Sequence, residues 1–164
     1  MPAGASVLMI SAGYSVISIK KGNKKLNNDC MYCVCDNRLT DLMIYICDLE
    51  ISKLYLFRDQ THYGRCVVAC KRHVREMFEL TDEELTLYAR DVARAARAIS
   101  ETVSPVKINY GIYGDIVSHL HVHLVPKQEA DADFGGTFVM SCDPPKHLSD
   151  EEYEKIIERI RSAV

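Results

Sequence analysis

From residue 42 onward, short apolar runs alternate with polar breaks. Residues 42–47 and 53–57 are apolar enough for strands, and Asp48-Leu49-Glu50 separates them. A polar turn over residues 58–64 leads into a third run at 65–70. Short strands joined by turns predict an antiparallel meander. Thr81-Asp82-Glu83-Glu84 has the form of a capping box, with a glutamate three residues after a threonine. It predicts a helix to about Glu101. Leu85, Tyr88, Val92, Ala95, Ala96 and Ile99 make its apolar stripe, and Arg90, Asp91, Arg94 and Arg97 its wetter side. Pro105 starts a further strand at 106–110, and Pro144-Pro145 blocks regular structure. A second capping box, Ser149-Asp150-Glu151-Glu152, opens a C-terminal helix with Tyr153, Ile156, Ile157 and Ile160 on one face. The class is therefore α+β: an antiparallel sheet of about five strands, one long helix packed on it, and a C-terminal helix.

The sharpest pattern is His119-Leu120-His121-Val122-His123-Leu124-Val125-Pro126. A period of two belongs to a strand, so the three histidines share one face and Leu120, Val122 and Leu124 the other. Neighbouring imidazoles would then lie about 6–7 Å apart. The chain has six histidines, and half of them fall here in phase, which makes an incidental wet face a poor explanation. Two chemical readings remain open. The rings are metal ligands, or one is a nucleophile whose neighbours grip phosphate or act as acids.

At 164 residues the chain is long enough for one cored domain, expected over 30–164. Residues 1–29 read as an extension ending in a Lys/Asn-rich linker, and residues 16–19 alternate as an added edge strand would. The net charge is −3 with no Lys/Arg block to track a phosphate backbone, so duplex nucleic acid is not an expected partner. No apolar run approaches a membrane span. Residues 1–20 lack a positively charged start, so no secretory signal is expected. Seven cysteines, an odd number, then indicate a reduced, cytoplasmic chain.

Cys30-Met31-Tyr32-Cys33 suits three roles: a redox disulfide, half of a zinc site, or plain thiols. The redox role wants a βαβ context that is absent here. A zinc site needs two more ligands. Cys35 is a spare thiol, His62 reads as a solvated turn residue, and His147 as a surface one.

The stretch Asn109-Tyr110-Gly111-Ile112-Tyr113-Gly114-Asp115 is a loop with two glycines, entered from the apolar Val106 and Ile108. Glycine there lets backbone approach a ligand closely. With the motif at 119–126, this loop resembles the histidine-triad (HIT) family of nucleotide-binding hydrolases and transferases. The family pattern His-φ-His-φ-His-φ-φ, with φ apolar, fits at every position, and the resemblance covers roughly residues 30–127.

The resemblance implies a HIT-like five-stranded antiparallel sheet, a homodimer, and a nucleotide phosphohydrolase. His121 would attack the α-phosphorus of a dinucleoside polyphosphate or phosphoramidate-type substrate. Water would then release nucleoside monophosphate from the nucleotidyl-histidine. His123 would bond a phosphate oxygen or the leaving atom, with backbone around Gly114 holding oxygens. Asn109 and Asp115 belong to the substrate loop, and Asp59 is the nearest match to the residue that holds the ribose. The C-x-x-C pair resembles the zinc-bearing branch, implying a structural zinc on Cys30, Cys33, His73 and His119. Histidine at position 123, where nucleotidyl transferases resemble His-x-His-x-Gln, looks like the hydrolase side.

Three positions depart from the pattern. Asp115 and Ile116 stand where many relatives carry Gln and Ser or Thr, and Arg65 where many carry His. An ionised Asp115 cannot donate and would repel phosphate, which suits a cationic or polar leaving group or weaker phosphate contacts. Two other functions stay open: a non-catalytic nucleotide-binding or sensing module, and a zinc-dependent hydrolase with the triad as catalytic ligands.

Overall fold

Five strands pair antiparallel in the order β1-β2-β3-β5-β4. In the computed structural model, which describes residues 29–164, they are β1 (Met43–Asp48), β2 (Ser52–Phe57), β3 (Cys66–Cys70), β4 (Lys107–Ile112) and β5 (His121–Lys127). The extension expected before residue 29 lies outside the described residues. The first three strands form the anticipated meander. The β4–β5 hairpin folds back so that β5 pairs with β3, and all seven residues of β5 are buried.

One sheet face packs on α3 (Asp82–Val103) and α4 (Asp150–Ala163). Leu54, Leu56, Val68, Leu120, Val122 and Leu124 meet Tyr88, Ala95, Ile99, Ile156 and Ile160 there. The alternation of the triad segment thus sends its aliphatic residues into the main core. Each such aliphatic side chain contributes about 1.5–3 kcal/mol on full burial. The opposite face carries Tyr55, Val67 and Ala69. It is covered by Cys30, Met31, Tyr32 and Leu39 of the segment holding two one-turn helices, α1 (Met31–Val34) and α2 (Asn37–Thr40).

Both capping boxes form: Thr81 and Ser149 each accept from the third backbone N–H of their helix, and Glu84 and Glu152 reach back. Two details differ from the sequence reading. Asp91 is buried instead of wet. Its carboxylate accepts from Glu50 N, Ile51 N and Ser52 Oγ, satisfying donors of the β1–β2 turn that have no ladder partner. Regular pairing of β5 begins at His121 and not at His119, because Leu120 N donates to Val74 O and His119 N to Val117 O. Among the described residues, no helix is long and apolar enough to cross a membrane.

Candidate active site and metal centre

The single turn of α1 puts Cys30 and Cys33 on one side, with Cys33 N and Val34 N both donating to Cys30 O. Opposite them lie His73, on the loop after β3, and His119. Cys30 Sγ is 3.3 Å from His119 Nδ1, Cys33 Sγ 3.3 Å from His73 Nδ1, and the two Nδ1 atoms are 3.2 Å apart. The four ligand atoms lie within 4.8 Å of one another. Tetrahedral edges around zinc, at usual bond lengths, run about 3.3–3.8 Å. His119 Nε2 sits 2.7 Å from Cys70 O, so that nitrogen carries the proton and Nδ1 offers its lone pair to the cluster. Burial pushes the His119 imidazole down to about 4, which keeps it a neutral ligand. These residues could hold a metal ion, and the donor set suits zinc.

The other two triad rings are not members of the cluster, and their centroids lie 5.2 Å apart. His121 Nδ1 is 2.6 Å from His119 O. A carbonyl only accepts, so Nδ1 is protonated and Nε2 carries a lone pair. His123 Nδ1 is 3.2 Å from Arg65 Nη2. A guanidinium only donates, so Nδ1 is here the acceptor and Nε2 carries the hydrogen. The two rings thus hold opposite tautomers. Burial lowers the pKa of both rings. His123 falls to about 3, with the Arg65 cation adding to burial.

These rings border a cavity of about 400 Å³. Leu42, Met43 and Phe57 give it an apolar wall, Tyr113 to Val117 a rim, and Met140 and Ser141 a far edge. Tyr32 also lines it, and its ring lies 4.9 Å from that of His119 and 5.2 Å from that of His121. Gly111 pairs with His123 across the ladder. A Cβ there would fall 2.7 Å from both Phe138 Cζ and Tyr113 Cε2, so glycine admits the rings that flank His123. At Gly114 a Cβ would meet nothing within 4 Å, so the fold leaves space there and the cavity adjoins it.

Of the residues singled out from sequence, His121, His123, Gly114 and Asp115 come together at this cavity. His119 joins Cys30, Cys33 and His73 beside it. Asn109 lies on β4 opposite Val125, outside the cavity lining. Asp59 is also outside: its carboxylate accepts from Thr61 N, Thr61 Oγ1 and Lys146 N. Burial works against its ionisation, and those bonds win, holding it below the usual range. Ile116 is 93% exposed at the rim.

His62 is not the solvated residue expected. It is buried, with Nε2 3.0 Å from Asp133. Asp133 also takes buried Lys127 and Val139 N. That carboxylate ties the segment after β5 back over the site. There Phe138 packs near His123, and Met140 O accepts from Arg65 Nη1 at 2.8 Å. Nothing in the sequence reading pointed to Tyr32, Phe138, Met140 or Asp133. The apolar run at 138–140, isolated in a polar stretch, was the available signal.

A family model described as the HIT domain matches residues 52–130. Among curated proteins, adenosine 5'-monophosphoramidase hnt1 of Schizosaccharomyces pombe is 26% identical over 122 residues, covering 74% of this chain and 88% of that protein. AP-4-A phosphorylase of Mycobacterium tuberculosis is 34% identical over 77 residues, covering 43% of this chain and 40% of that protein. A crystal structure of a histidine triad protein from Sinorhizobium meliloti has a TM-score of 0.72 at 26% identity, covering 79% of this chain and 95% of that one. A five-stranded antiparallel sheet with two buried imidazoles at a cavity and a third turned into a Cys2His2 cluster is a histidine-triad architecture. Residues 52–130 are a HIT domain, and the Cys30, Cys33, His73 and His119 cluster fits the zinc-bearing branch of that family.

Proposed function

We propose that the protein is a nucleotide hydrolase working through a nucleotidyl intermediate on His121. The observation that carries this reading is the 2.6 Å contact of His121 Nδ1 with His119 O. It pins one nitrogen and leaves the other as a lone pair facing a nucleotide-sized cavity. The name of the Schizosaccharomyces pombe relative, a phosphoramidase, and that of the Mycobacterium tuberculosis relative, a phosphorylase, both support nucleotide chemistry.

His121 Nε2 attacks the α-phosphorus and the leaving group departs. Water then cleaves the N–P bond, returning the electron pair to Nε2 and releasing nucleoside monophosphate. His123 Nε2–H bonds a phosphoryl oxygen, and backbone around Gly114 holds others, as preorganised donors do. Leu42, Met43 and Phe57 receive the base. Asp115 faces the leaving group from the rim. Asp59 bears on the nucleotide through the backbone it holds at Thr61 and Lys146, and Asn109 through its place on β4 beside β5.

Zinc on Cys30, Cys33, His73 and His119 is structural. The cluster reaches four ligands without His121 or His123, which speaks against a catalytic metal held by the whole triad. The chain acts as a homodimer through the exposed side of β4, where Tyr110 and Ile112 are half exposed. Its cysteines are odd in number, seven, which fits a reducing, cytoplasmic compartment.

The test is release of nucleoside monophosphate from a small panel of nucleotide esters, anhydrides and phosphoramidates. His121→Ala abolishes release while nucleotide binding persists, because binding comes from the apolar wall and loop donors. Near wild-type release by His121→Ala overturns the reading.

A further inference from the structure

Arg65 is the most deeply buried cation near the site, with 1% of its surface exposed. Among the described residues it has no ion-pair partner. Its guanidinium lies 4.0 Å from the Phe57 ring centroid. Nη1 donates to Met140 O at 2.8 Å, and Nη2 reaches Met140 Sδ at 2.9 Å and His123 Nδ1 at 3.2 Å. Nε is buried with no partner. An unpaired buried cation is costly to keep. Here it sits one imidazole away from the cavity in which an anionic phosphoryl group would bind. The substrate itself would supply the missing countercharge.

The consequence for His123 follows from donor chemistry. Every guanidinium N–H donates and none can accept a proton. His123 Nδ1 therefore stays a lone pair, and Nε2–H stays directed at the cavity. Giving up that hydrogen would turn a neutral ring into imidazolate, a far stronger base than a leaving phosphate, so the neutral ring is a poor general acid. Resting on the hydrolase reading above, we infer that Arg65 is a positioning residue that fixes His123 as a hydrogen-bond donor which keeps its proton. The site is thereby matched to anhydride-linked nucleotides.

The balance of the step explains the match. The His121 Nε2 lone pair forms the N–P bond, and the P–O bond to the leaving phosphate breaks with its electrons on oxygen. That phosphate departs as a stable anion and needs no proton from the protein. An amine leaving from a phosphoramidate must gain a proton, and a His123 held neutral carries only the weakly acidic Nε2–H, which it keeps. The Arg65 charge behind the ring also strengthens the Nε2–H bond to a phosphoryl oxygen.

The first measurement uses the full wild-type chain. Isotope-edited NMR of the histidine ring nitrogens reads the tautomer of His123 directly. A lone pair on Nδ1 and a proton on Nε2 are expected; a protonated Nδ1 overturns the inference. The second measurement compares kcat for diadenosine tetraphosphate with kcat for adenosine 5'-phosphoramidate. Arg65→Met frees Nδ1 to take a proton, so the anhydride-to-phosphoramidate ratio falls by about tenfold or more, toward ordinary general-acid behaviour. Arg65→Lys keeps a donor-only cation and keeps the wild-type ratio. Packing damage alone would slow both probes equally, so an unchanged ratio in Arg65→Met overturns the inference. If Arg65→Met does not fold, the wild-type tautomer and the Arg65→Lys ratio decide. Failure of the wild-type protein to turn over either probe would defeat the hydrolase reading and the anhydride preference with it, while the tautomer would still decide the role of Arg65.

Discussion

His121 Nδ1 lies 2.6 Å from the backbone oxygen of His119, whose own ring completes the cysteine cluster. The residue that would bind a metal therefore also orients, through its carbonyl, the ring at the cavity. Tyr32 adds a second link, since it stands between the two cysteines in sequence and packs on both rings.

The as-purified protein should contain about one zinc per chain, by elemental analysis. Cys30→Ser or chelation should remove it and lower Tm by about 10 °C, the shift expected for about 3 kcal/mol in a chain of this size. Activity should fall with metal content, because the His119 carbonyl loses its anchor. His119→Ala should show the same three losses together.

Gly111→Ala should preserve the fold and cost about 1–3 kcal/mol in denaturant unfolding, as overpacking does. The new methyl would meet Phe138 and Tyr113 at 2.7 Å and push apart the rings around His123. Misplacement of this order costs roughly a hundredfold in rate, so kcat should fall more than nucleotide affinity.

Asp133→Asn should destabilise the chain by about 3 kcal/mol, because it removes the countercharge of buried Lys127 and leaves Nζ only uncharged oxygens such as Asp133 O. Burial alone would raise the Asp133 carboxyl. Lys127, Val139 N–H and His62 together hold it well below the usual value of 3.8. As pH falls, the unfolded state therefore takes up this proton first. The stability gap between wild type and Asp133→Asn should be full above about pH 5 and should close only as pH falls below about 4. Urea unfolding across that range measures it. Faster hydrogen exchange over residues 128–141 in the variant would show the strap loosening.

Periodicity and caps made most of the fold legible. The triad alternation marked a strand, and its aliphatic half did enter the core under α3. The two capping boxes located both long helices. What periodicity could not convey was the destination of single polar residues. Asp91, on the charged side of a helical wheel, turns under the β1–β2 loop. His62, in a polar turn, is buried by a partner 71 residues away in sequence. Arg65 carries no local sign that it points inward, because its enclosure is made by Phe57 of β2 and by Phe138 and Met140 of the segment after β5. The Cys2His2 set was visible because its ligand types are scarce and matched a family pattern. The opposite tautomers of His121 and His123 were not, since each depends on what the far nitrogen meets.

The most direct test is to trap the intermediate. Wild-type protein mixed with a slowly hydrolysed nucleotide anhydride, quenched in alkaline denaturant and analysed by intact-mass and fragment mass spectrometry, should carry one nucleotidyl group, on His121. His121→Ala should carry none and release no nucleoside monophosphate. Turnover by wild type with no adduct, together with near-normal turnover by His121→Ala, would contradict the nucleophile assignment and favour attack by a metal-activated water.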